Sequence, residues 1–260
     1  MRRLFCDGVS VGCTLDWPQP SPAVVKTLLL ALLLMAATVR LPATVPDTVV
    51  LLHGLGRGTL SLKRLEVALR AEGYAVCNLD YPSRSGNIAI LAESTLGPVF
   101  AAAPAVGPRI HLVTHSLGGI LVRQYLHDHG VPPALGRVVM LAPPNEGSEV
   151  VDRLRSWKLY QWINGPAGLQ LGTGPDSVPR ALGPLPAGVV VGVIAGDHTI
   201  NPLFSALLPG ADDGKVSVAA THVAGETDHL ILPATHTWIM WRGDAVDQVS
   251  TFLRDGRFAR

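Results

Sequence analysis

A chain of 260 residues can bury one good-sized core, and 48% apolar against 16% charged residues exclude a disordered segment. A formal net charge of +1 without a basic cluster excludes nucleic acid as a partner. Cys6, Cys13 and Cys77 are too few and too irregularly spaced for a disulfide framework or a metal cage.

Residues 1–22 carry Pro18, Pro20 and Pro22, show no apolar period and are expected to be unstructured. Residues 26–39 follow as an apolar run behind Lys26, shorter than the roughly 20 residues of a membrane-spanning helix. Such a run suits the apolar core of a signal peptide or an anchor, so residues 1–44 are expected to form a leader. The pattern favours export or membrane association through residues 26–39 over a cytoplasmic surface helix.

From Asp47 the pattern alternates. Thr48–Leu52 is an all-apolar run, expected of a strand covered on both faces, and His53-Gly54-Leu55-Gly56 follows it. Ser61 offers an N-cap to a helix whose apolar spacing ends at Gly73. Ala75–Leu79 is the next strand, in which Cys77 is expected as a buried, inert thiol. A helix is expected over Ile88–Ala102, a strand over Arg109–Thr114 and a helix over Leu117–Asp128. Further strands are expected at Arg137–Leu141, Val189–Ala195 and Leu230–Leu232, with a closing helix at Asp244–Arg254. Strands separated by helices imply right-handed crossovers, hence an α/β fold with a mostly parallel sheet and helices on both faces.

One segment interrupts the rhythm. About residues 145–187, rich in Gly and Pro, carry Trp157, Tyr160 and Trp162. Val150, Val151, Leu154 and Trp157 fall at helical spacing, which fits a crossover helix packed on the sheet. The same segment fits a cap or lid whose aromatic residues line a pocket. Both readings stand at this point.

The chemistry centres on Thr114-His-Ser-Leu-Gly-Gly119, between a strand pattern and a helix pattern. A serine in a tight strand-to-helix turn is held clear of its own backbone, and the next N–H points to the same place. Ser116 is thus the candidate nucleophile and Leu117 a candidate oxyanion donor. A serine needs a base, and the base needs a group to hold its tautomer. His236 follows the last strand pattern and precedes the last helix, so it is preferred over His198, His222 and His229. Asp197, at the end of a strand, and Asp213, in an Asp-Gly turn, both remain open as the acid. After the first strand, Gly54 and Gly56 permit a close approach that brings the Leu55 N–H over the serine as a second donor.

The segments Leu51–Gly56, Leu112–Gly119, Leu141–Asn145 and Asp213–Val218 together resemble the α/β-hydrolases of the bacterial lipase and esterase type, over roughly residues 45–256. Thr114 departs from the glycine usual at its place in the elbow, and related lipases with threonine there are familiar. The resemblance implies an α/β-hydrolase domain over 45–260 with a cap- or lid-like insert at about 145–187. It makes Asp213 the first choice of acid, with Asp197 the alternative. It implies a serine hydrolase that cleaves a small-molecule ester or lipid through an acyl-enzyme. No cofactor is expected, and the sequence offers no oxygen-ligand cluster that calls for a metal. An acyltransferase using the same acyl-enzyme is the alternative, and a non-catalytic binding protein on the same fold is the third reading.

Overall fold

A computed structural model describes residues 21–23, 26, 45–103 and 107–260. Val45–Arg260 forms one compact unit. The expected leader segment at residues 26–39 lies, apart from Lys26, outside the described residues.

The strands are β1 (Thr48–Leu52), β2 (Ala75–Leu79), β3 (Ile110–His115), β4 (Leu135–Leu141), β5 (Val190–Gly196) and β6 (Asp228–Leu232). They form a single sheet in the order β2-β1-β3-β4-β5-β6, and every neighbouring pair is parallel. The principal helices are α1 (Lys63–Ala71), α2 (Ile88–Ala101), α3 (Leu117–His129), α4 (Glu149–Leu154) and α5 (Lys158–Leu169). The short turns α6 (Val178–Ala181), α7 (Pro202–Ser205) and α8 (Val218–Thr221) precede the closing helix α9 (Gly243–Asp255).

Period-two alternation divides the strands between two cores. Val50, Leu52, Leu112, Val138 and Met140 pack with Leu91 and Leu96 of α2 and Ile120 and Leu121 of α3. Val49, Leu51, Val113, Val139 and Leu141 pack with Leu65 and Leu69 of α1 and Val249 and Phe252 of α9. The inner strands are apolar throughout because each face meets a helix layer.

Two local expectations are corrected. Cys77 is exposed, because β2 is the sheet edge and only its Val76 side is buried. Ser61 does not cap α1: it lies in a 3-10 turn, Thr59–Leu62, and its hydroxyl donates back to the Gly58 carbonyl at 2.7 Å.

The strand order places the site. β1 connects outward to β2 on one side while β3 lies on its other side, so the chain diverges between β1 and β3. At such a switch point the loops beyond the strands' carboxyl ends separate and leave a crevice. His53–Gly56 leaves β1 there, and Ser116 leaves β3.

Candidate active site

Ser116 stands between β3 and α3 with φ 53° and ψ −118°, a left-handed conformation that a serine adopts at a cost. Its N–H is bonded to the Leu141 carbonyl at 2.9 Å, and its own carbonyl accepts from Gly119 at 3.0 Å. Glycine is required beside it. A Cβ on Gly118 would lie 2.7 Å from the Leu52 carbonyl oxygen, so only glycine lets α3 approach β1 this closely. Thr114 is fully buried, and Gly119 makes room for it: a Cβ on Gly119 would already press its hydroxyl at 3.3 Å.

The sequence's preferred partners meet at this serine. His236 Nε2 lies 3.0 Å from Ser116 Oγ, and its Nδ1 lies 2.7 Å from Asp213 Oδ2. All three residues are buried. The carboxylate is held on its other oxygen, where Oδ1 accepts from the N–H groups of Lys215 at 2.9 Å and Val216 at 2.8 Å. A backbone bond from His236 N–H to the Asp213 carbonyl at 2.9 Å locks the two loops together. Asp197 is exposed and does not meet His236; its N–H is bonded to the Leu232 carbonyl at 3.1 Å. The other candidate histidines also lie elsewhere: His198 is exposed, His229 is on β6, and His222 precedes that strand.

The loop after β1 closes over the elbow. A Cβ on Gly54 would come within 2.7 Å of His115 Nδ1 and 3.2 Å of Ser116 Cβ, so the contact depends on glycine. His53 beneath it is stacked on Tyr81 at 4.3 Å, and the Tyr81 hydroxyl donates to the His53 carbonyl at 2.6 Å. Gly56 N–H is tied to Ser83 Oγ at 3.0 Å. Among the described residues, the N–H groups of Leu55 and Leu117 donate to no acceptor, which leaves them free for a ligand oxygen. Leu117 begins α3, so the helix N-terminus also faces this point.

A cavity of about 290 Å³ opens over Ser116 and His236. Its walls include Leu55, Val150, Val151, Tyr160, Ile163 and Leu171. The expectation for the insert's aromatic residues therefore divides. Tyr160 lines the cavity, while Trp157 and Trp162 are 63% and 79% exposed. Helix α4 ends at Leu154, so Trp157 leaves the apolar stripe that Val150 and Val151 keep.

Several supporting groups carry no sequence signal of their own. Arg123 is buried in α3 and donates to the carbonyls of Asn145, Pro179 and Gly183, which ties the segment after β4 to the domain. His115 gives a bond to the His236 loop. At the amino end of β6, His222, Glu226 and His229 bring potential metal-ligating atoms within 4.8 Å of one another. They lie at the opposite end of the strand from His236, and His222 already pairs with Glu226 at 2.6 Å.

The alpha/beta hydrolase family model matches residues 49–255. The chain belongs to this family. It is 41% identical to probable esterase PIR7A of Oryza sativa subsp. indica over 80 residues, 27% of this chain and 30% of that protein. The match thus spans less than a third of that relative's length. Among solved structures, the mature lipase BlEst2 of Bacillus licheniformis is similar with a TM-score of 0.60 at 20% identity, over 83% of this chain and 94% of that one. The metagenomic carboxyl esterase MGS0156 is similar with a TM-score of 0.62 at 21% identity, over 77% and 69% of the two chains. At these identities the structural likeness speaks to the fold.

Proposed function

We propose that this protein hydrolyses carboxylic esters through an acyl-enzyme on Ser116. The observation that carries the reading is the buried relay in which His236 stands 3.0 Å from Ser116 Oγ and 2.7 Å from Asp213 Oδ2. A carboxylate at Nδ1 favours a proton there and leaves the Nε2 lone pair toward the serine hydroxyl.

Ser116 Oγ attacks the acyl carbon while its proton passes to His236 Nε2. The N–H groups of Leu55 and Leu117 hold the negative oxygen of the tetrahedral intermediate. Its collapse breaks the ester C–O bond, and the leaving alcohol takes the proton from His236. A water molecule then attacks the acyl-enzyme, giving its proton to His236. The second collapse releases the carboxylic acid and returns that proton to Ser116. Water and ester go in; acid and alcohol come out. In this reading residues 145–187 act as a cap over the acyl group, supported by the cavity contacts of Val150, Val151, Tyr160 and Leu171.

The test uses p-nitrophenyl esters of graded acyl length together with a fluorophosphonate probe. Ser116→Ala and His236→Gln are expected to lower turnover by about 10⁴-fold or more, and only chains that retain Ser116 should take the label. Turnover in Ser116→Ala equal to that of the wild type would disprove the mechanism. Products analysed with added alcohols separate the readings: free acid marks hydrolysis, and a new ester marks acyl transfer.

A further inference from the structure

Two cations border the cavity over Ser116. Arg57 and Lys215 both line it, amid walls that are otherwise largely apolar. Several other arginines have an acidic partner, as Arg180 has Glu146 and Arg242 has Asp244. Among the described residues, Arg57 and Lys215 have neither an ion pair nor a side-chain hydrogen bond.

Their positions follow from the loops that build the site. Arg57 follows the His53–Gly56 loop directly, and its N–H is bonded to the Gly54 carbonyl at 3.1 Å. Lys215 lies in the turn closed by Asp213, which accepts its N–H at 2.9 Å, and its carbonyl accepts from Ser148 Oγ at 2.6 Å. Each backbone is therefore pinned by the segment that carries a proposed catalytic group. With the backbones fixed at the rim of the cavity, a ligand has only the two side chains to order. Lys215 also lines the neighbouring groove beside Phe204 and Thr237.

Among the described residues the pair has no ion-pair partner of its own. Burial lowers the Lys215 pKa and the Arg57 charge lowers it further, while Asp213 pulls the other way. Asp213 is already engaged by His236 and by two backbone N–H groups. A neutral ester would meet apolar walls and leave both cations unanswered; an anion would answer them.

We propose that the substrate is an ester that also carries an anionic group, which Arg57 and Lys215 engage while its carbonyl faces Ser116. The proposal rests on the ester-hydrolase reading of that serine. A carboxylate or a phosphate supplies the required chemistry: arginine presents paired N–H donors to either, and lysine adds a point charge.

Matched substrate pairs test it. Monomethyl suberate against methyl octanoate places a carboxylate at the far end of the acyl chain. Octanoyl glycerol 3-phosphate against octanoyl glycerol places a phosphate on the alcohol side. In one pair the charged member is expected to have a kcat/KM about tenfold higher or more, and the pair that responds tells carboxylate from phosphate. In Arg57→Gln and in Lys215→Gln that charged-to-neutral ratio should fall about tenfold. Equal kcat/KM within both pairs, or a preference that survives both substitutions, overturns the proposal. Failure of the ester-hydrolase reading looks different, since the wild type then cleaves none of the four. Calorimetry decides that case: suberate or glycerol 3-phosphate should bind the wild type and bind Lys215→Gln about tenfold more weakly. Absent binding, or binding unchanged in that variant, overturns the anion site itself.

Discussion

The His115 ring donates from Nε2 to the His236 carbonyl oxygen at 2.9 Å, tying the residue before Ser116 to the loop that carries the proposed base. A carbonyl only accepts, so this bond places the proton on Nε2 and leaves Nδ1 buried without a partner. Burial, and then the neighbouring His236, hold the His115 pKa well below the usual histidine range. In the proposed mechanism His115 positions the His236 loop. His115→Phe keeps the ring volume and removes the bond. It is expected to lower kcat about tenfold with little change in KM, and His115→Gln, which restores an N–H donor, to recover part of the loss. A raised KM with unchanged kcat would contradict this role.

Asp213 and Asp197 separate cleanly in a pair of substitutions. Asp213→Asn retains an oxygen for the Lys215 and Val216 N–H groups, so the turn persists, but the charge beside His236 Nδ1 is gone. Its kcat/KM on p-nitrophenyl butyrate is expected to fall by about 10³- to 10⁴-fold. Asp197→Asn changes an exposed side chain and should stay within about twofold of the wild type. Equal losses in the two variants would remove Asp213 from the relay.

Acid should destabilise the fold through histidines that are buried or half-buried. His111, His115 and His229 are all shifted down with burial as the first cause, His229 from 6.5 to about 4. Each binds its proton more readily in the unfolded chain, so the stabilising contribution is full above pH 6.5 and declines as the pH falls toward about 4. Urea midpoints should drop steadily across that window. In His229→Phe the stability lost across that window should shrink by about 1–2 kcal/mol, an amount discounted for the solvent that reaches this ring. A midpoint independent of pH between about 7 and 4.5 would refute the effect.

Arg123 offers a test of the scaffold apart from the chemistry. It is 3% exposed, and burial lowers its pKa to about 10 while it donates to three carbonyls. Arg123→Met fills the space of the stem but leaves those carbonyls without their donor, at an expected cost of about 3 kcal/mol in urea unfolding. Arg123→Lys keeps a charged donor and should recover part of that loss. A loss under about 0.5 kcal/mol in the methionine variant would show that water replaces the guanidinium without penalty.

Much of the fold is legible from residue type and spacing. Val49, Val50, Leu51 and Leu52 announce a strand covered on both faces, and they are buried on both. Ser116 between a strand and a helix is visible because the elbow is a local turn with its own backbone demands. The misreadings arise where the neighbour lies far along the chain. Cys77 has the composition of a core strand, yet β2 is the sheet edge, which strand order decides. Trp157 continues a helical spacing, yet the chain turns after Leu154 and leaves it exposed. Arg57, Arg123 and Lys215 resemble ordinary surface cations until the loops around them are in place.

Residue type and spacing suffice for the alternation of strands and helices, the elbow at Ser116, the His53–Gly56 loop and a histidine after the last strand. These are short-range properties, written in side-chain period and backbone freedom. Which aspartate meets His236, which aromatic residue reaches the cavity and which cations stand beside it depend on contacts between distant segments. Asp213 and Asp197 are the same residue type and both precede His236; what distinguishes them is the path of their loops over β5 and β6. That path follows from how the whole sheet packs; residue type and spacing left it open, and only the resemblance of the Asp213–Val218 segment favoured Asp213.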